Sequence, residues 1–323
     1  MTLLRLTLRP HSAFATPLQG DTLFGQLCWA IRHRFEEPRL TELLQGYVHG
    51  RPFVVLSDAF PVDHVPLPHL PYALHQGDAG KHKQLKRKIW LPLSALHQAA
   101  ATWPDLATAP DEIKAQRHFR PQPHNSINRL TQTTGTKFVP FNVVQHWHEA
   151  EQLQLYAVLD EQRLQQADLL AALGDIGLFG YGKDASTGLG KFTVESAESP
   201  TYPIPDQANA WLTLAPCAPQ GLNWQAERCF YRPFVRYGRH GDQAALSGQP
   251  FKKPLLLAAT GAVLSPAAGE DWTRHWLGQG LGGTDQPISN HLDHLDYRKT
   301  VHQGYAPALP IFLPPEYRHA EAP

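Results

Sequence analysis

Five glycines fall between Gly177 and Gly190, in the run GlyLeuPheGlyTyrGlyLysAspAlaSerThrGlyLeuGly. The residues before the run, Leu164 to Leu173, have helical spacing, and LysPheThrValGluSer after it, from Lys191, alternates like a strand. The chain therefore has to pass from helix to strand through a segment in which five of fourteen residues lack a Cβ. Such spacing permits φ > 0 repeatedly and lets a ligand approach the main chain. Successive N–H groups in that geometry form a concavity suited to anions, phosphate above all. The candidate contacts are Gly180, Gly182, Lys183, Asp184, Ser186, Thr187, Gly188 and Gly190. A glycine-rich connector without a ligand is the plain alternative.

Two nucleotide motifs come close and fail. Gly177, Gly182 and Lys183 have P-loop spacing, but Asp184 stands where a magnesium-holding hydroxyl belongs. Gly180, Gly182 and Ala185 imitate a dinucleotide fingerprint. Both motifs require a strand before the glycines and a helix after them, the reverse of the order here.

The remaining pattern supplies a frame. Leu4, Leu6 and Leu8 share one face of a first strand, and Phe24, Leu27, Cys28 and Ile31 recur at helical spacing, with Arg32, His33 and Arg34 near the helix end. Asp21 is placed to cap that helix, and Thr16, Gln19 and Asp21 at its N-terminus make an anion site, or else an ordinary cap. Pro52 to Leu56 reads as a second strand, Gln152 to Leu159 as a third, then helix, glycine loop and the strand from Lys191. This is the βαββαβ order of a ferredoxin-like domain, with an insertion of about 58–150 between its second and third strands.

The insertion carries a basic run (Lys81, Lys83, Lys86, Arg87, Lys88) that suits a solvated face. Farther on, Arg117 to Val139 mixes His124, Asn125, Ser126, Asn128, Arg129, Thr131 and Lys137 with Ile127, Leu130 and Phe138. Hydrogen-bonding side chains between apolar anchors suit a hairpin or extended arm that grips a sugar-phosphate backbone. A mobile surface insertion is the alternative. Residues 201–209 read as a proline-rich linker, dividing the chain into a domain of 1–200 and a smaller, strand-rich domain of 201–323. In the latter Arg232, Arg236, Arg239, Phe251, Lys252 and Lys253 give a basic, aromatic-interleaved character, with a solvated edge as the equal alternative.

Composition narrows the function less than distribution does. Lys plus Arg and Asp plus Glu are both 29, so net charge advertises no polyanion. The three cysteines have no CxxC spacing, and neither a signal peptide nor a membrane span is legible, which points to the cytoplasm. Of the 18 histidines, the pairs His146/His148 and His291/His294 lack a third ligand at a recognisable offset. No nucleophile elbow or zinc-protease motif appears, and no cofactor or metal is expected. A metal-free RNA-cutting site needs only a histidine with a lysine or tyrosine, and stays open.

Four runs occur together: ThrProLeuGlnGlyAspThrLeuPheGly (Thr16 to Gly25), LeuSerAspAlaPhePro (Leu56 to Pro61), HisAsnSerIleAsnArgLeuThr (His124 to Thr131) and the glycine run to Phe192. In this order they resemble the RAMP superfamily of CRISPR proteins, and within it the handle-capping subunits of type III-A, Csm-like effectors. The resemblance implies an α+β fold of two ferredoxin-like (RRM-like) domains, the first with a thumb-like insertion. It implies a non-catalytic subunit that binds the 5′ repeat-derived handle of crRNA. Its partners would be the large polymerase-like subunit and the backbone RAMP subunit. RNA contacts are then expected from Thr16, Gln19 and Asp21, from the arm, from the glycine loop, and from Arg232, Lys252 and Lys253. A crRNA-processing endoribonuclease of the same superfamily is the alternative.

Overall fold

The computed structural model describes all residues except 72–81, 136–138, 242–244, 247–249, 268–270, 290–298 and 320–323. In the first half β1 (Thr2–Pro10), α1 (Gly20–Leu44) and β2 (Val54–Pro61) precede the insertion. β7 (Leu153–Leu159), α4 (Gln166–Phe179) and β8 (Phe192–Glu198) follow it. The four strands form one antiparallel sheet in the order β2-β7-β1-β8, and α1 and α4 pack on each other and on the sheet. β1 buries Leu3, Leu4, Leu6 and Leu8.

Three local expectations are corrected. β7 alternates in sequence but is buried along its whole length, because it is a central strand with neighbours on both edges and covered faces. LeuSerAspAlaPhePro lies within β2, not after it; the register shifts between Leu56 and Ala59, and this bulge turns Ser57 and Asp58 out of the ladder. α1 does not stop near Arg34. It kinks at Glu36 (φ 69, ψ 167), just before Pro38, and continues to Leu44.

Between β2 and β7 the insertion contains the pair β3 (His64–Pro66) and β4 (Trp90–Pro92), with two short helices, α2 (His82–Leu85) and α3 (Trp103–Leu106). It then projects a hairpin of β5 (Arg117–His124) and β6 (Phe141–His148). The expected arm is thus a hairpin. Eight residue pairs, from Arg117 opposite His148 to His124 opposite Phe141, give it a reach of about 26 Å at ~3.3 Å per residue.

The second half contains β9 (Ala210–Thr213), β10 (Pro233–Arg236), β11 (Leu255–Ala258), β12 (Val263–Leu264), β13 (Trp276–Gly278), β14 (Leu281–Gly282), β15 (Val301–His302) and β16 (Tyr305–Ile311). Its main sheet has the order β12-β9-β16-β13, with β10-β11 and β14-β15 as separate pairs. Among its described residues there is no α-helix. The C-terminal apolar run, unplaced from sequence, is the central strand β16. The halves share a core in which Leu212, Tyr305, Leu309 and Ile311 cluster with Leu4, Tyr47 and Tyr156. At the seam the Gln303 amide accepts from Leu56 N–H (2.9 Å) and donates to Leu56 C=O (2.8 Å), acting as a strand partner on the free edge of β2. Among the described residues no helix is long and apolar enough to cross a membrane.

Candidate nucleic-acid interface

The strip His11 to Asp21, between β1 and the first turn of α1, joins the glycine loop, the root of the arm and the second half. His11 N–H donates to Lys191 C=O (2.8 Å), and Gly190 N–H to Ala13 C=O (2.7 Å). Phe14 exchanges both backbone hydrogen bonds with His146, at the root of the arm (2.9 and 2.7 Å). The Phe14 ring meets the His148 ring edge-on at 5.4 Å. Thr16 Oγ1 accepts from Lys183 N–H (3.0 Å). Tyr181, fully buried, donates its hydroxyl to Pro17 C=O (2.8 Å), and the same oxygen accepts from Gln19 N–H (3.2 Å).

These bonds change the reading of the glycine loop. α4 runs on to Phe179, so Gly177 belongs to the helix; a Cβ there would overlap the Phe192 carbonyl. At Gly182 (φ 79) a Cβ would stand 2.6 Å from Thr16 Cβ, and at Gly190 (φ 74) it would overlap the Tyr181 backbone. These glycines allow the loop to be packed tightly, and most of its N–H groups are spent inside. Tyr181 N–H donates to Gly190 C=O, Gly182 N–H to Gln26 Oε1, Gly188 N–H to Ala185 C=O and Lys191 N–H to Ser12 Oγ. Among the described residues, the N–H groups of Asp184, Ala185 and Ser186 take part in no bond of this network. The tip is exposed at Lys183, Ser186, Thr187 and Gly188. Lys183 Nζ lies 3.9 Å from Asp184 Oδ2, a buried oxygen with no hydrogen-bond donor. The tip offers directed donors and little net charge.

Asp21 does not cap α1. The helix starts at Gly20, and its N-cap Gln19 makes no capping bond. The Asp21 carboxylate is instead clamped across the halves by Arg236, with Nε to Oδ2 at 2.6 Å and Nη2 to Oδ1 at 2.8 Å. Arg236 Nη2 also donates to Gln19 Oε1 (3.0 Å), and His302 Nε2 stands 3.3 Å from Asp21 Oδ2. Burial opposes the Asp21 charge, but His302 and Arg236 outweigh it and hold its pKa below the ordinary carboxylate value. Next to it Asp58 accepts from Gly20 N–H (2.9 Å) and from the Thr260 hydroxyl (2.6 Å). Burial pushes the Asp58 carboxyl up to about 7 despite those donors.

The arm tip is built differently. Asn125, Ser126, Arg129 and Thr131 are exposed, and Leu130 is 94% exposed. The tip is held by its own turn: Asn128 N–H donates to Thr133 C=O (3.1 Å), Gln132 N–H to Asn128 C=O (2.7 Å), and Leu130 N–H to Asn128 Oδ1 (3.0 Å). His124 stacks on Phe141 at 5.3 Å, and Arg120 lies over Trp147 at 5.9 Å. Lys137, Lys81, His291 and His294 lie outside the described residues. In the basic run Lys83 and Lys86 are exposed, while Lys88 donates to Asp105 C=O (2.7 Å) and Arg87 pairs with Asp111 (2.9 Å).

The structure thus gathers Thr16, Gln19, Asp21 and the glycine loop on one strip with the arm root, and holds His124 to Thr131 out at the far end of the hairpin. Arg232 is exposed on the second half. Lys253 Nζ donates to Pro287 C=O (3.0 Å). Lys252 is half-buried, and burial lowers its pKa against the opposing effect of Cys28 and Asp21. Sequence reasoning missed His302, and read Arg236 only as part of a basic edge. No local signal marks a partner 215 residues from Asp21. Among the described residues no group of three His, Cys, Asp or Glu is placed to hold a metal ion.

No protein-family model matches the chain, and no curated protein matches it. Solved structures match its fold over nearly the full length. One chain of a crystal structure of the Csm1–Csm4 cassette in complex with pppApA aligns at TM-score 0.61 and 17% identity, covering 98% of this chain and 100% of that one. A chain of the same cassette with cA4 gives 0.61 and 16%, covering 97% and 99%. A chain of the Csm3–Csm4 subcomplex of the type III-A CRISPR-Cas interference complex gives 0.54 and 13%, covering 97% and 100%. The fold is therefore that of chains in these assemblies, a mixed α/β chain of several small sheets and few helices. Csm4 is the component that both assemblies share.

Proposed function

We propose that this chain is a non-catalytic RNA-binding subunit of a type III-A CRISPR effector, capping the 5′ handle of crRNA and bridging the large polymerase-like subunit to the backbone filament. The observation that carries the reading is the convergence of loop tip and arm root on the strip His11 to Asp21, within a fold matched end to end by chains from Csm4-containing assemblies. RNA phosphates meet the donors of Asp184 to Ser186 with Lys183, and handle nucleotides meet Asn125, Ser126, Asn128 and Arg129 on the arm. We read 1–200 as a ferredoxin-like domain, in accord with its strand order, and 201–323 as a second, helix-poor counterpart.

Co-expression with type III partners tests this. The chain is expected to co-purify with crRNA and with both neighbouring subunits, and repeat RNA incubated with the isolated chain is expected to yield no product, with or without metal. A cleavage product lost on replacing His146 or His148 would overturn the non-catalytic reading. Failure to retain crRNA in the assembled complex would overturn the capping role.

A further inference from the structure

Where the insertion meets the two halves, a cavity of about 590 Å³ opens between β2, β4, the arm root and Arg232, the residue before β10. Its size is that of a small-molecule site. Phe60 and Trp90, packed edge to face at 6.0 Å, form one wall. Lys86, Arg117 and Arg232 also line it, and among the described residues none of the three makes an ion pair. Among the described residues three lining side chains carry buried polar atoms with no partner: His69 Nδ1, Trp90 Nε1 and His148 Nε2. Orphaned polar atoms are unfavourable in a folded chain and are satisfied by water or a ligand. Unpaired cations on a concave surface focus a positive potential that draws an anion.

We propose that this cavity binds one nucleoside monophosphate unit, its base against the Phe60–Trp90 wall and its phosphate on Arg117 and Arg232. The orphaned nitrogens of His69, His148 and Trp90 then have the edge of a heterocycle to bond. Burial pushes both histidines down to about 4, so near neutral pH each is an uncharged imidazole able to donate or accept. Asp58, raised to about 7, is protonated in about half of the molecules near neutral pH, which lessens its repulsion of the phosphate. The unit has two possible sources, a nucleotide of a bound RNA strand or a free mononucleotide. The inference deepens the proposed function and rests on it for the first source alone.

The full-length chain is titrated with AMP, GMP, CMP, UMP and inorganic phosphate up to millimolar concentration, by calorimetry and by tryptophan fluorescence. At least one nucleotide is expected to bind more tightly than phosphate. Arg117→Gln and Arg232→Gln are each expected to weaken it about tenfold, the loss of a charge-assisted hydrogen bond, with the melting temperature unchanged. Displacement of the bound nucleotide by crRNA assigns the site to the strand, and simultaneous binding assigns it to a free nucleotide. Binding of none of the four, or binding that both variants leave unchanged, overturns the proposal. In either case crRNA retention, measured in parallel, reports separately on the proposed function.

Discussion

The glycine loop and the arm tip were expected to do the same work, yet they are built on opposite plans. The loop is surrounded: its glycines let carbonyls and Thr16 come close, and most of its N–H groups are bound to Ser12, Ala13, Thr16, Gln26 or the loop itself. The arm tip stands beyond the eight pairs of its hairpin and, among the described residues, is held by its own turn. A rigid part fixes where a strand of RNA can lie. A free part can close on it afterwards. The difference teaches that glycine density marks tight packing here before it marks a ligand.

The largest effect expected from this contrast is on the loop. Gly190→Ala puts a Cβ into the Tyr181 backbone at a positive φ, which is expected to lower stability by about 4 kcal/mol or more. Gly188→Ala, whose Cβ meets open space at φ 94, is expected to lose only about 1 kcal/mol. Urea unfolding of the two variants checks it, and equal losses would mean that the loop is not locked.

Next comes the clamp on the same strip. Arg236→Ala takes the guanidinium from the buried Asp21 carboxylate, leaving His302 beside it, and is expected to lose about 3 kcal/mol. Asp21→Asn with Arg236→Ala is expected to recover part of it. A double variant no better than the single one would show that the ion pair is not what the site requires.

The arm should answer in function and not in stability. Arg129→Ala is expected to change unfolding free energy by no more than about 0.5 kcal/mol while lowering the salt dependence of RNA binding by about 0.7 in slope, one phosphate contact. An unaltered slope removes Arg129 from the interface.

The effects of pH oppose one another. Folding raises the Asp58 pKa to about 7 from 3.8, so the folded state holds that proton more tightly; its stabilising contribution is complete below pH 3.8 and is lost as pH rises to about 7. Folding lowers the His148 pKa to about 4 from 6.5, so its contribution is complete above pH 6.5 and is lost as pH falls to about 4. Relative to the parent chain, Asp58→Asn should therefore gain stability as pH rises, and His148→Gln should gain as it falls. Parallel stability curves would contradict both assignments.

Much of the first half was legible because its signals are local. Leu4, Leu6 and Leu8 alternate, Phe24 to Ile31 keep helical spacing, and the order of strands and helices follows from both. The glycine loop was legible as a bend between helix and strand, but its packing partner Thr16 was not, since nothing near Gly182 announces a side chain 166 residues earlier. The Asp21–Arg236 clamp and the cavity at Arg117 and Arg232 are hidden for the same reason. β16 went unplaced because a strand buried on all sides has no alternation to read.

Gln303 has a consequence for how the molecule is made. The edge of β2 is finished by an amide that is translated 247 residues after Leu56. Until then the nascent sheet has an open rim at Leu56, the kind of border that invites a foreign strand. Synthesis of Gln303 is what allows that rim to be sealed, so a product truncated before it would be recognisable by its stickiness before any loss of RNA affinity is measured.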